Sequence, residues 1–235
     1  MDFNTGGRSE RPDDDRSRPL YGGEAGGPVR GPAGGSGGEF NLSDPIGSFV
    51  DTVRGVVLDP VGFFRGIARQ GNFVNPAVFA LICYEISAIL GGLISVVLDV
   101  AAGQRVGSSI GSFIVSLILT PIFAVIGLFI GAGILHLLVL LFVRPSNAGF
   151  EATFRVVSYA SVVQLISWVP ILGQIVAAVY GIVLSIFGIR EVHATTTGRA
   201  ALIVLIPVVV VLLLLVLFVG AALLFFFSGA GSNFK

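Results

Sequence analysis

Two short stretches of amphipathic spacing stand ahead of four much longer apolar runs. In SDPIGSFVDTVRGVV, from Ser43, the residues Ile46, Phe49, Val50, Val53, Val56 and Val57 fall at helical spacing, with Asp51 and Arg54 on the other side. Ser43 or Asp44 can cap this helix, and Pro45 suits its first turn. LDPVGFFRGIARQ repeats the device, with Asp59 as cap, Pro60 in the first turn, Val61, Phe64, Ile67 and Ala68 along one face, and Arg65 and Arg69 at its edge. Neither is long enough to cross a bilayer. The pattern predicts amphipathic helices over 43–74 lying at the cytoplasmic interface; the alternative is a soluble helical pair packed on itself.

A crossing helix needs about 20 apolar residues. Pro76–Leu98 fits one, ended by Asp99. The run between Arg105 and Arg144 carries no formal charge and is too long for one perpendicular crossing, and Pro121 divides it. The expectation there is an interfacial or tilted beginning near 108–119 and a span over 120–143. Val156–Ile189 has WVPILGQ at its middle, where Pro170 and Gly173 signal a turn, so it reads as a tight hairpin of spans near 154–170 and 173–189. The last span covers 200–227, with Pro207 near its start. The fold class is therefore all-α: a polytopic five-helix membrane domain over 75–228, followed by a short outer tail at 229–235.

Composition sharpens this picture. Charged residues make up 12% of the chain, where soluble domains carry about a quarter. They are also uneven: ten acids and eight arginines precede Asn75, leaving four acids and six bases after it. Residues 1–42, rich in Gly, Pro, Arg and Asp, read as a disordered cytoplasmic tail that lacks the apolar area to offset its ordering entropy. Residues 1–20 hold no apolar core of a signal peptide, so the first span is expected to act as its own insertion signal. Five spans with the N-terminus inside put twelve basic residues on the inner side and two, Arg105 and Lys235, outside. That bias predicts a cytoplasmic N-terminus and an outside C-terminus. The zero net charge offers nothing to nucleic acid.

Candidate chemistry is sparse. Glu85 falls near mid-bilayer in the first span, where an acid is costly and by default a functional hypothesis. The competing reading is a structural glutamate hydrogen-bonded to Ser158, Tyr159 or Gln164. Those three, with Ser161 and Ser167, make the third span polar, as glue between helices or as the lining of a narrow aqueous path. His136 in the second span and His193 in the joint FGIREVHATTTGRAA lack the companions of a metal site or a triad. Cys83 has no disulfide partner and reads as packing. No nucleotide or dinucleotide motif occurs, and no cofactor is expected. Gly127 and Gly131 have the small-xxx-small spacing of helix packing.

The order of DPVGFFR before the first span, GAGILHLLVLLF in the second, and FEATFRVVSYASVVQLISWVPILGQIVAAVYGIVLSIFGIREVHATTTGRAALIVLIP through the last three resembles the Yip (Ypt-interacting protein) membrane family, in its bacterial branch. The likeness covers roughly residues 45–210. It implies five spans and a non-enzymatic role; eukaryotic relatives bind Rab-type GTPases and act in vesicle traffic and membrane shaping. The aspartate-leucine-tyrosine-glycine-proline segment of those relatives has no counterpart, LDPVGFF standing nearest.

The leading expectation is thus a membrane scaffold, integral to a bacterial plasma membrane, that works through a cytoplasmic face made of Phe63, Phe64, Arg65, Arg69, Arg190, Glu191, His193 and Arg199. Its expected partners are the lipid bilayer with its anionic headgroups, an unidentified membrane or cytoplasmic protein, and a second copy of the chain in a homo-oligomer. The rival is a small transporter or channel using Glu85 and the polar third span.

Overall fold

The computed structural model describes residues 38–144 and 147–232, with side chains as far as Phe225, so residues 1–37 of the tail expected over 1–42 lie outside the described residues. Among the described residues there is no strand. The helices are α1 (Pro45–Leu58), α2 (Pro60–Gly66), α3 (Val74–Ala101), α4 (Val106–Phe142), α5 (Phe150–Ala160), α6 (Gln164–Ser167), α7 (Leu172–Val192) and α8 (Thr197–Ser232), with a 3-10 turn at Ser161–Val163 joining α5 to α6.

The two DPxG stretches start α1 and α2 by the same chemistry. The Asp44 carboxylate accepts the Gly47 N–H at 3.1 Å, and the Asp59 carboxylate accepts the Gly62 N–H at 2.9 Å. Glycine at the third helical position is what lets the capping carboxylate close in, because a Cβ on Gly47 or Gly62 would run into the aspartate oxygens.

Four helices, α3, α4, α7 and α8, are long and apolar enough to cross a membrane. The reading that Pro121 divides the second run is corrected: α4 is one helix of 37 residues that passes through Pro121, as α8 passes through Pro207. Away from water, unwinding at a proline would strand several further backbone groups, so the helix loses one hydrogen bond and continues. The expected third span is not one continuous α-helix; it is α5, the 3-10 turn and α6 in succession. α8 remains helical to Ser232, past the expected end of the last span.

The turn expected at WVPILGQ is tight. Ile171 has φ 63° and ψ −66°, and the Leu172 N–H reaches the Pro170 carbonyl at 2.7 Å, the strained form of a γ-turn. The last joint is short, running from His193 to Thr196.

The largest core cluster gathers Phe40, Val56, Phe63, Phe64, Phe79, Tyr159, Leu184 and Ile203 from every part of the fold. A second joins Ala80, Leu128, Ala132 and Phe154. Close approach in this bundle occurs at Gly188, where an added Cβ would strike Val156 of α5. Gly127 has no atom within 4 Å of where its Cβ would stand, and Gly131 only Val157 at 3.9 Å. The Gly127–Gly131 spacing therefore does not draw two helices of this chain into close contact at Gly127.

Candidate functional site

Three polar clusters gather where α3, α5 and α8 begin and α7 ends, hereafter the basic end. The first rests on α5, the second on the end of α7, and the third on α5 together with the joint after α7.

The first is an ion pair closed off from solvent. Arg155 on α5 and Glu39, whose side chains are each 7% exposed, pair through Nη1 and Oε2. The Tyr159 hydroxyl donates to the same Glu39 oxygen at 2.9 Å, and the Ala68 N–H donates to the other at 2.6 Å. Arg155 Nη2 donates to the Asn72 carbonyl at 3.2 Å and lies 3.9 Å from Glu151. One glutamate thus ties the chain ahead of α1 to the α2–α3 connection and to α5. Glu39 and Phe40 were expected to belong to the tail, yet both are packed into the helical body because Arg155 and Phe79 hold them.

The second cluster lies on the surface. Glu191 accepts from Arg65 Nε at 3.0 Å and from Arg190 Nε at 2.8 Å, joining α2 to the end of α7. Arg190 also stacks on the Phe187 ring at 5.1 Å and reaches Thr197 at 3.4 Å.

The third brings together two histidines far apart in sequence. Thr153 Oγ1 lies 3.0 Å from His136 Nδ1 and 3.0 Å from His193 Nε2. The Ala148 N–H donates to His193 Nδ1 at 3.0 Å, so that nitrogen carries the lone pair and the ring proton sits on Nε2, donating to Thr153. The threonine hydroxyl is then free to donate to His136. Burial first, then electrostatic interaction with the His136 and Arg69 side chains, pushes the His193 imidazole down from 6.5 to about 4. Thr153 and His193 are fully buried, so the hydroxyl beside two imidazoles is not open to a substrate. Among the described residues no three His, Cys, Asp or Glu side chains come together to hold a metal.

The expected interaction face is thereby split. Arg65, Arg69 and Arg199 are exposed, and Arg190 and Glu191 are half-buried. Phe63 and Phe64 point inward, Phe63 packing edge-on against Tyr159 at 5.2 Å, and His193 is buried as well. These three residues are frame, not surface.

The intramembrane polar residues do not share one site. Glu85 bonds to none of its expected partners: Tyr159 is engaged by Glu39, Gln164 accepts from Ser167 at 2.8 Å, and neither Glu85 Oε1 nor Ser158 Oγ has a hydrogen-bond partner among the described residues. Ser167 also meets Ser87 of α3 at 2.8 Å. A cavity of about 720 Å³ opens between α3, α4 and the α6–α7 turn, lined by Ser87, Ser112, Ser116, Thr120, Gln164 and Ser167 among others, and Glu85 is not part of its lining.

Sequence reasoning missed Glu39, Thr153 and the structural role of Arg155. A usable signal for Glu39 was its place beside Phe40, an acid and an aromatic together at the end of a glycine-rich stretch. No solved structure and no curated relative matches the chain. The Yip1 domain matches it over residues 54–219, from α1 to well inside α8. With that match covering most of the fold just described, this multi-pass membrane protein belongs to the Yip1 domain family.

Proposed function

We propose that the chain is a non-catalytic membrane scaffold of the bacterial plasma membrane that gathers anionic lipid, and through it partner proteins, at its basic end. The carrying observation is a set of exposed arginines at that end, Arg65, Arg69, Arg144 and Arg199, on four separate segments around a frame made of a buried ion pair and buried hydrogen bonds. Each such side chain near a negatively charged leaflet contributes about 1 kcal/mol of attraction. The same asymmetry supports a cytoplasmic N-terminus, five crossings with α5–α6 as the third, and a C-terminus outside. Spin-labelled anionic and zwitterionic lipids in proteoliposomes measure the preference directly. Wild-type protein is expected to retain the anionic lipid, and replacing the four arginines with alanine is expected to erase that selectivity. Equal selectivity in both proteins sinks the proposal. A reporter fused after Lys235 that reads cytoplasmic overturns the five-crossing topology.

One observation favours the second reading, a small transporter or channel: the hydroxyl-lined cavity that includes Gln164 and Ser167. Since Glu85 stands outside its lining, the two halves of that reading separate. Solute flux abolished by Gln164→Ala but indifferent to Glu85→Gln would support a path through the cavity; no flux at all removes it.

A further inference from the structure

The pair α1–α2 was expected to lie flat at the interface, but its contacts run along the bundle. Arg65 in α2 meets Glu191 at the end of α7, whereas the carbonyl of Val57, at the end of α1, accepts the Tyr180 hydroxyl at 2.9 Å. Tyr180 and Glu191 are separated by roughly three turns of α7, about 16 Å. α1 also packs against the 3-10 turn at Ser161–Val163, which lies roughly three turns up from the start of α5. The turn between α1 and α2 therefore sits far along helices that cross the membrane, while α2 returns to the basic end. From this geometry we infer that α1–α2 is a re-entrant hairpin, inserted among the acyl chains of the leaflet at the basic end and turning back near the bilayer midplane. The inference rests on the membrane-spanning reading of α7 and not on the lipid preference proposed above.

Two further features fit acyl chains as the occupant. The exposed side of α1 carries Ile46, Val50 and Val57 and ends at Leu58, with Ile46 80% and Leu58 78% exposed, while Asp51 and Arg54 share that side nearer the leaflet surface than the tip. Val176 and Val179 of α7, within about a turn of Tyr180, are exposed apolar side chains as well. Several backbone groups of the turn also find partners within the protein, as a hydrocarbon setting favours. The Asp59 N–H reaches the Gly55 carbonyl at 3.0 Å, the Asp59 carbonyl accepts the Phe63 N–H at 2.9 Å, and its carboxylate takes the Gly62 N–H. Tyr180 supplies the donor for Val57. Arg54 lies a turn before the tip, and helical side chains lean toward the N-terminus, which here is the leaflet surface, so its guanidinium can snorkel to the headgroups.

A hairpin that enters one leaflet and not the other adds area to that leaflet alone. This gives the scaffold an asymmetric wedge.

Single-cysteine variants of the full chain in a Cys83→Ala background test the depth. Leu58→Cys reports the tip, Val179→Cys the membrane surface of α7, and Arg69→Cys the aqueous connection. In proteoliposomes, Leu58→Cys should resist a membrane-impermeant maleimide at least tenfold more than Arg69→Cys. A fluorophore at position 58 should be quenched by lipids brominated mid-chain as strongly as one at 179. Tyr180→Phe, which removes the donor to Val57, should raise the labelling rate at position 58. If Leu58→Cys labels as fast as Arg69→Cys while Val179→Cys stays protected, the hairpin stands in water and the inference fails with the membrane fold intact. If Val179→Cys labels as well, the crossing of α7 fails with it.

Discussion

The two ends of this bundle are held by different forces. At the basic end, α2, α5, α7 and the chain ahead of α1 meet through buried charge, a His–Thr–His chain and a ladder of aromatic rings that includes Phe73, Phe129, Phe150 and Phe154. At the far end, α3 continues for roughly three turns beyond Gly91, which faces Trp168 at the α6–α7 turn. There α3 and α4 leave the hydroxyl-lined cavity between them. The hydroxyls of Ser112, Ser116 and Thr120 bond to carbonyls of their own helix and tie nothing across it. Directional, desolvated contacts make the first end specific. The second has little beyond apolar contact, which in lipid gives weak preference for one helix neighbour over an acyl chain. Stability and pH response should therefore concentrate at the basic end, and adaptability at the other.

The largest break in that contrast should come from Arg155→Ala. It leaves Glu39 buried and unpaired, together with the Tyr159 hydroxyl it organises, a loss of about 3–5 kcal/mol for one partner of a buried pair. Thermal unfolding in detergent should show it, and Glu39→Gln combined with Arg155→Met should recover part of the loss. The matching far-end change, Ser167→Ala, removes the bonds to Ser87 and Gln164 and should cost about 1 kcal/mol. Equal effects from the two substitutions would dissolve the distinction between the ends.

Acid should act at the basic end next. The folded state holds His193 neutral down to about 4, whereas the unfolded chain takes its proton near 6.5. The unfolded state thus binds more protons between those values, so this stability is complete above pH 6.5 and is lost as pH falls toward 4. The full loss is about 3 kcal/mol at roughly 1.4 kcal/mol per unit. Unfolding midpoints measured from pH 7.5 to 4.5 should fall in the wild type and flatten in His193→Gln. A profile unchanged by the substitution would mean that another group carries the acid sensitivity.

Smaller again is the Asp59 series at the hairpin turn. Asp59→Ala loses the carboxylate that holds the Gly62 N–H and should cost about 1 kcal/mol. Asp59→Asn keeps an acceptor there and removes the charge, so it should be neutral or stabilising if the turn lies in hydrocarbon. Destabilisation by asparagine as large as by alanine would place the turn against water and favour a flat interfacial pair.

Local chemistry was legible in the sequence, and partners across the chain were not. The DPxG caps, the turn at Pro170 and the short joint after α7 each follow from neighbouring residues, and each appears where the pattern put it. The hairpin's depth depends on Tyr180 meeting Val57, and the buried ion pair on Arg155 meeting Glu39, contacts between residues more than a hundred positions apart. Nothing in the spacing of either stretch encodes such a meeting. Phe63 and Phe64 show a related ambiguity. Aromatics on an amphipathic helix suit an interface and a core equally, and only the presence of Tyr159 beside them decides for the core. Pro121 misled for a different reason, since its rule as a helix breaker belongs to water, where freed backbone groups find new partners.

The smallest predicted effect concerns Gly127, and it bears on what covers the lightly tied side of α4. In an isolated chain a methyl group at this position meets nothing, so Gly127→Ala should only gain helix propensity, up to about 1 kcal/mol in favour of the folded state. The small-xxx-small spacing with Gly131 would then have no use within the chain. A second copy seated on that stripe changes the sign, because close helix approach depends on the missing side chain. Sedimentation in detergent of wild type and Gly127→Ala separates the cases. An unchanged mass with equal or higher stability means that α4 faces lipid there, whereas a dimer lost in the variant means that the spacing serves contact between chains.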